Sequence, residues 1–338
     1  MPNRIIELDI MRAGAILAVI AIHLIGPAFT YYTPQSTTWG FFLFLDNFLR
    51  FSVPLFVALS GYSLALRYQN QKINLNEFLK RRLLRLLPWY LVASTLIYTV
   101  THFLFKEPGI YPIWKIILLG KADYHLYFVP MIFTLYLMFP IIHKFLAKWK
   151  LKTLAASLAI QVAVFTFTTL ISQQVIRSGL VWGDQQQYLF AGSWIFYFVL
   201  GAYLANAKAS QKLKLFSLLL LLFGYWLSVT NTFALIDKFG LITSTRFTRL
   251  PLIIFSAGFI CSSIFFGKYI LKIPRLLVKG LSNIGKASYL TYLIHTLFIR
   301  VALLYLKPST LVNFITILAT VSLVSISVSL ILKKYSTV

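Results

Sequence analysis

Apolar runs of about twenty residues recur from one end of this 338-residue chain to the other, and that feature leaves few folds open. A helix of that length crosses a hydrocarbon core about 30 Å thick, where only internally hydrogen-bonded backbones survive. The runs fall at 8–29, 41–66, 84–105, 124–146, 152–172, 188–206, 213–235, 250–271, 287–306 and 310–332. The expected fold class is therefore all-α, a polytopic transmembrane helix bundle of about ten spans. Residues 1–338 read as a single membrane domain with no separate soluble domain. The first run is interrupted by Asp9 and Arg12, which suits a first span better than a cleaved signal peptide.

Charge tests this count. The chain is 59% hydrophobic and only 12% charged, yet its net charge is +24. The basic residues are spread between the apolar runs, which argues against nucleic acid as a partner and for loop orientation signals. Arg67 to Arg85, Lys144 to Lys152, Lys208 to Lys214, Lys268 to Lys286 and the tail Lys333–Lys334 form one set of basic connections. The alternate connections are poorer, and the first of them, 30–40, has no basic residue at all. This alternation predicts both termini on the cytoplasmic side of the cell membrane, with 106–123, 173–187 and 236–249 as the longer external connections.

Charged or titratable groups inside a span cost several kcal/mol unless a partner or a wet cavity receives them, so they carry the functional signal. In the first span, Arg12 and His23 are eleven steps apart. At 100° per residue that is three turns plus about 20°, so both lie on one face, roughly 16 Å apart along the axis. Asp9 falls on the same side. In the second span Asp46 and Arg50 have i,i+4 spacing. In the ninth, "SYLTYLIH" sets Ser288, Tyr292 and His295 on one face. Each set has a plainer reading, as local ion pairs that let a helix insert or as hydrogen-bonded packing.

Two rim segments add to these. In "FLKRRLLRLLPWY" (78–90), Arg82 and Arg85 project from one helix face, and guanidinium groups suit phosphate; ordinary positive-inside flanking is the alternative. "DYHLYF" (123–128) opens the fourth span, with His125 between Tyr124 and Tyr127, the tyrosines also fitting an interfacial aromatic belt. His125 is placed to approach His23 if both lie in the outer half. The sequence has no Walker-type phosphate loop, no HExxH, no Cys/His cluster and no Gly-x-Ser-x-Gly. ATP hydrolysis, a metal site and an ordinary serine hydrolase are thus unsupported. Its one cysteine, Cys261, lies in an apolar run with nothing nearby to activate it.

Taken together, these residues resemble the acyltransferase-3 family of integral-membrane O-acyltransferases. The resemblance covers nearly the whole chain and rests on Arg12 and His23 in the helix beginning "ELDIMRA", on "RLLR" (82–85), and on "SVPLFVALSGY" (52–62). "YHLYFVPMIFTLYLMFP" (124–140) and "SYLTYLIH" (288–295) follow in order. "GSWIFYFVLGAYL" (192–204) is similar to the branch that modifies the intercellular adhesin; "SVPLFVALSGY" with "YHLYF" is more like the branch that modifies enterobacterial common antigen. Ser52 stands where the family often has Gly.

The resemblance implies transfer of an acyl group, acetyl usually and succinyl in some cases, from acyl-CoA to a hydroxyl of an envelope polysaccharide or its lipid-linked precursor. His23 would be the general base or an acyl carrier, with Arg12 and Arg50 as catalytic partners and Arg50 or another buried donor stabilising the oxyanion. Arg82, Arg85, His125, Tyr124, His295 and Asp9 would bind substrate. No cofactor is expected to be held permanently, acyl-CoA being the donor. The partners implied are the bilayer, the glycan, and a glycan synthase or second acyltransferase. The rival reading is a polysaccharide or lipid-linked sugar exporter whose buried charges line a path.

Overall fold

The computed structural model describes residues 5–69, 71–106, 111–178 and 184–334, with the backbone alone given for 171–178 and 184–186. Residues 107–110 and 179–183, in two of the external connections expected above, and the side chain of Arg177 lie outside the described residues. There is no strand among those described. Thirteen α-helices run in order: α1 (Ile6–Ala28), α2 (Thr37–Leu49), α3 (Ser52–Arg67), α4 (Leu75–Phe103), α5 (Ile113–Leu119), α6 (Phe128–Lys148), α7 (Lys150–Ser178), α8 (Asp184–Leu189), α9 (Ile195–Leu204), α10 (Gln211–Ser244), α11 (Leu250–Phe266), α12 (Arg275–Tyr305) and α13 (Leu311–Lys333). Among the described residues nine stretches are long and apolar enough to cross a membrane. The chain is thus an all-α, multi-pass membrane protein.

Two compact units divide the chain, Met1–Phe56 with Lys208–Val338, and Val57–Ala207. In the first, α1 is the central helix, packed by α12, α13 and α2 and buried over most of its circumference. Its C-terminal half, at Ile20, Leu24, Ile25 and Ala28, meets Phe42 of α2, Ile299 of α12, and Phe314, Ile317 and Val321 of α13. α10 and α11 run antiparallel at close approach, Gly224 lying against the backbone of Phe255 and Gly258 against that of Leu221. Small residues at such crossings let backbones meet where lipid gives no hydrophobic drive.

The second unit is built on an aromatic core, Tyr68–Phe78–Phe139–Phe198, with ring centroids 5.7, 5.8 and 6.1 Å apart in turn. At its centre α9, ten residues long, is buried on nearly every side. About 15 Å of helix cannot span the core alone, so the apolar run 188–206 is not one spanning helix. It is a broken segment, Ala191–Ser193 in 3₁₀ form and then α9, whose irregular backbone is enclosed by protein. Hydropathy does not distinguish a short helix enclosed by protein from a lipid-facing span. One of the backbone donors at the start of α9, Phe196 N–H, reaches Oε1 of the fully buried Gln161 on α7 at 3.1 Å. Gln161→Leu removes that acceptor and is expected to cost about 1–3 kcal/mol, read as a lower unfolding midpoint in detergent.

Helix directions within the first unit show what this broken segment does. α2 is antiparallel to α1, and α10 is antiparallel to α2, because Phe44 meets Phe233 and Phe48 meets Tyr225. α10 therefore runs parallel to α1. Among the described residues four long spans (α2–α3, α4, α6 and α7) lie between them, which would make α10 antiparallel. One more crossing is required, and 188–206 is the apolar segment that lies in the right place.

The second span, read from sequence as one helix, is broken at Arg50–Phe51. Pro54 has no N–H to give the Arg50 carbonyl, and its ring crowds that carbonyl. The third begins earlier than expected, at Leu75, because Asn74 caps it through Glu77 N–H at 3.3 Å. Arg82, which the run 84–105 left just outside the span, therefore lies on α4 together with Arg85.

Candidate active site

In the first unit, α1 and α12 are held at backbone contact by Gly285, where a Cβ would fall on the main chain of Asp9. Farther along the same two helices the rings of His23 and His295 lie 5.2 Å apart, tilted by 34°. Asp9 with Gly285 and His23 with His295 fix the two helices as parallel. His295 is fully buried, and its Nδ1 is 2.7 Å from the Tyr292 carbonyl oxygen. A carbonyl only accepts, so Nδ1 carries the proton and, in the neutral ring, Nε2 holds the lone pair. Tyr292 packs against the same ring at 5.9 Å. The stripe Ser288, Tyr292 and His295 is buried throughout, joined by Thr291 and Thr296.

Two ion pairs accompany the imidazoles. Arg12 Nη1 donates to Asp9 Oδ1 at 2.9 Å, with Asp9 fully buried and Arg12 partly open. Arg50 grips Asp46 in bidentate fashion, Nε to Oδ2 at 2.8 Å and Nη2 to Oδ1 at 2.9 Å, and its Cζ stands 4.8 Å from the centre of the Phe247 ring. Nη1 of Arg50 makes no hydrogen bond to the described residues, so the fork keeps donors to give. Both pairs have the local spacing that sequence suggested.

Sequence reading missed the neighbouring network. Asn47 Oδ1 accepts from Ser228 Oγ at 3.0 Å, Thr232 Oγ1 at 2.9 Å and Arg249 Nη2 at 3.0 Å, all of them buried. Arg249 Nη1 also donates to Thr232 Oγ1 and, at 3.1 Å, to the Ser228 carbonyl. This ties α2, α10 and the start of α11 together and fixes the helix that carries Asp46 and Arg50. The signal was available in the Ser228/Thr232 i,i+4 pair and in a polar residue directly after Asp46. Asn47→Leu withdraws the common acceptor from a buried guanidinium and two hydroxyls. A loss of about 3 kcal/mol or more is expected in detergent unfolding.

The second unit holds the other candidates. Arg82 lies between the Phe78 and Tyr136 rings, its Cζ 5.5 and 5.6 Å from their centres, and its buried Nε has no hydrogen-bond partner among the described residues. Arg85, more exposed, and Arg67 are close enough to interact with it electrostatically; Arg67 had been read only as a loop charge. His125 is fully buried beside Asp123, Nδ1 to Oδ2 at 3.5 Å, and Asp123 Oδ1 also accepts from Tyr124 N–H at 2.7 Å. The Tyr124 ring is exposed. Within the first unit His23 meets His295; within the second His125 is paired with Asp123. Among the described residues no group of three His, Cys, Asp or Glu is placed to hold a metal ion.

A family model described as an acyltransferase domain, that of the acyltransferase-3 family, matches residues 5–334. The chain belongs to the acyltransferase-3 family. The match takes in both units and every residue singled out above, and it makes the protein a membrane acyltransferase. Comparison with curated proteins found no match, and comparison with solved structures found none either. For an acyltransferase-3 protein the plainest chemical asset is the imidazole pair, since an imidazole can serve as a general base.

Proposed function

We propose that this protein moves an acyl group, acetyl or succinyl, from acyl-CoA to a hydroxyl of an envelope polysaccharide or its lipid-linked precursor. The observation that carries this reading is His23 lying on His295 inside the first unit. His23 is the general base: it takes the proton from the acceptor hydroxyl as that oxygen bonds to the thioester carbonyl carbon. The C–S bond then breaks, and the proton passes to the departing CoA thiolate. The result is an oxygen ester and free CoA.

His295 is a positioning residue. Anchored by the Tyr292 carbonyl, it fixes the plane against which the His23 ring rests. Arg50, braced by Asp46, supports the oxyanion through its remaining donors, an effect of about 2.7–4 kcal/mol where such donors have been removed elsewhere. Arg12 and Asp9 keep α1 neutral enough to be buried. In the second unit Arg82, Arg85 and the added Arg67 suit phosphate groups of CoA, and His125 with Tyr124 suit a sugar hydroxyl and ring. The basic connections support a cytoplasmic side for both termini and the cell membrane as the location.

The test uses membrane vesicles containing the protein, given acetyl-CoA labelled in the acetyl group. Label should enter envelope glycan in a form released by hydroxylamine or mild base, and only when the protein is present. Glycan that crosses the vesicle membrane without acquiring label would overturn the reading in favour of export.

A further inference from the structure

Outside the histidine site, at the connection between α1 and α2, the first unit carries a cleft of about 500 Å³. That is within the roughly 300–1,000 Å³ of small-ligand sites. It is lined by the polar residues Gln35, Ser36 and Thr37 and by the aromatic residues Trp39, Phe41, Phe44 and Phe233. None of the described residues that line it is charged. Phe44 and Phe233 lie 5.9 Å apart, and the Tyr225 hydroxyl holds the Phe44 carbonyl at 3.0 Å, so the aromatic wall is fixed.

The backbone at Gln35 gives a second, independent observation. Ser36 N–H donates to the Thr33 carbonyl at 3.1 Å, closing a turn with Pro34 in its second position and Gln35 in its third. Gln35 has φ +68°. That is the left-handed conformation that a turn of this kind reserves for Gly or Asn. A glycine would make the turn without strain, but it would remove the one amide side chain that lines the cleft. Strain kept at a binding surface points to a side chain kept for contact.

We propose that this cleft seats an uncharged sugar ring of the acceptor glycan, with the Gln35 amide hydrogen-bonding ring hydroxyls and the aromatic wall packing the apolar sugar face. This rests on the glycan-acceptor reading above and adds where the sugar docks. Aromatic surface with neutral amide and hydroxyl groups matches a pyranose, which has C–H faces and a polar edge. The position agrees, because connection 30–40 has no basic residue and belongs to the external rim. A lipid chain would have no use for the Gln35, Ser36 and Thr37 edge.

The experiment measures saturation transfer by NMR from detergent-purified full chain to three uncharged tetrasaccharides, maltotetraose, cellotetraose and chitotetraose. At least one is expected to bind, and Gln35→Gly and Phe233→Ala are each expected to weaken it fivefold or more. Gln35→Gly should also raise the unfolding midpoint by about 1–3 °C, since it relieves the turn. His23→Ala should bind sugar as the wild type does, so loss of transfer and loss of docking are read separately. No saturation transfer to any sugar, or equal binding by both cleft variants, overturns the proposal. A lipid that co-purifies with wild type and is lost from both variants overturns it too, by assigning the cleft to lipid.

Discussion

His23→Ala is expected to lower acyl transfer by about 10²–10⁴-fold at matched protein level, the span that a positioned general base supplies. The fall belongs to the chemical step, so the acyl-CoA concentration giving half-maximal rate should change little. Substitutions at His295 separate base from support. Asn at 295 can still offer an N–H toward the Tyr292 carbonyl and should keep more activity than Leu, which cannot. A positioning role also predicts that the pH dependence of the residual rate shifts in the Asn variant, whereas mere packing would leave its shape unchanged. Equal transfer by wild type and His23→Ala would end the proposed mechanism while leaving family membership intact.

Gly285→Val is expected to be the most damaging apolar substitution in the first unit. A Cβ at this position falls on the carbonyl and carbon of the Asp9 main chain, and neither can move aside as a flexible side chain would. Overpacking of this kind costs about 1–3 kcal/mol in ordinary cores and more where backbone meets backbone. Separating α1 from α12 at this crossing also pulls His23 off His295, so transfer should fall with stability. Gly280, on the same helix, provides the control: a Cβ there meets nothing within 4 Å. Gly280→Ala should therefore stabilise α12 by about 1 kcal/mol. Unfolding midpoints of the two variants in detergent should move in opposite directions. A neutral Gly285→Val would show that α1 and α12 do not meet at backbone contact.

How far the sequence could be read depended on whether a feature was local. Asp9–Arg12 and Asp46–Arg50 were visible because helical spacing alone brings them together. The buried stripe of α12 was visible because one face repeats at Ser288, Tyr292 and His295. The break after Arg50 had a local cause in Pro54 that outranks the apolar run around it. Other features depend on tertiary structure. His295 lies against His23 because α1 and α12 meet at Gly285, and nothing in either segment names its neighbour. The Asn47–Arg249 network joins residues about 200 positions apart. The run 188–206 looked like a full span because hydropathy records composition, whereas enclosure by α6 and α7 is what permits so short a helix.

The pairing of α1 with α12 also governs how the protein is made. His23 leaves the ribosome about 270 residues before His295. At roughly 5–20 residues per second, α1 waits on the order of 15–55 s for the helix that completes its site. During that interval it must reside in the bilayer with a carboxylate and a guanidinium already inside it. The Asp9–Arg12 pair lies within a single turn of α1 and needs no other helix to form. It therefore offsets these two charges against each other in the nascent helix from the moment of insertion, long before α12 is synthesised.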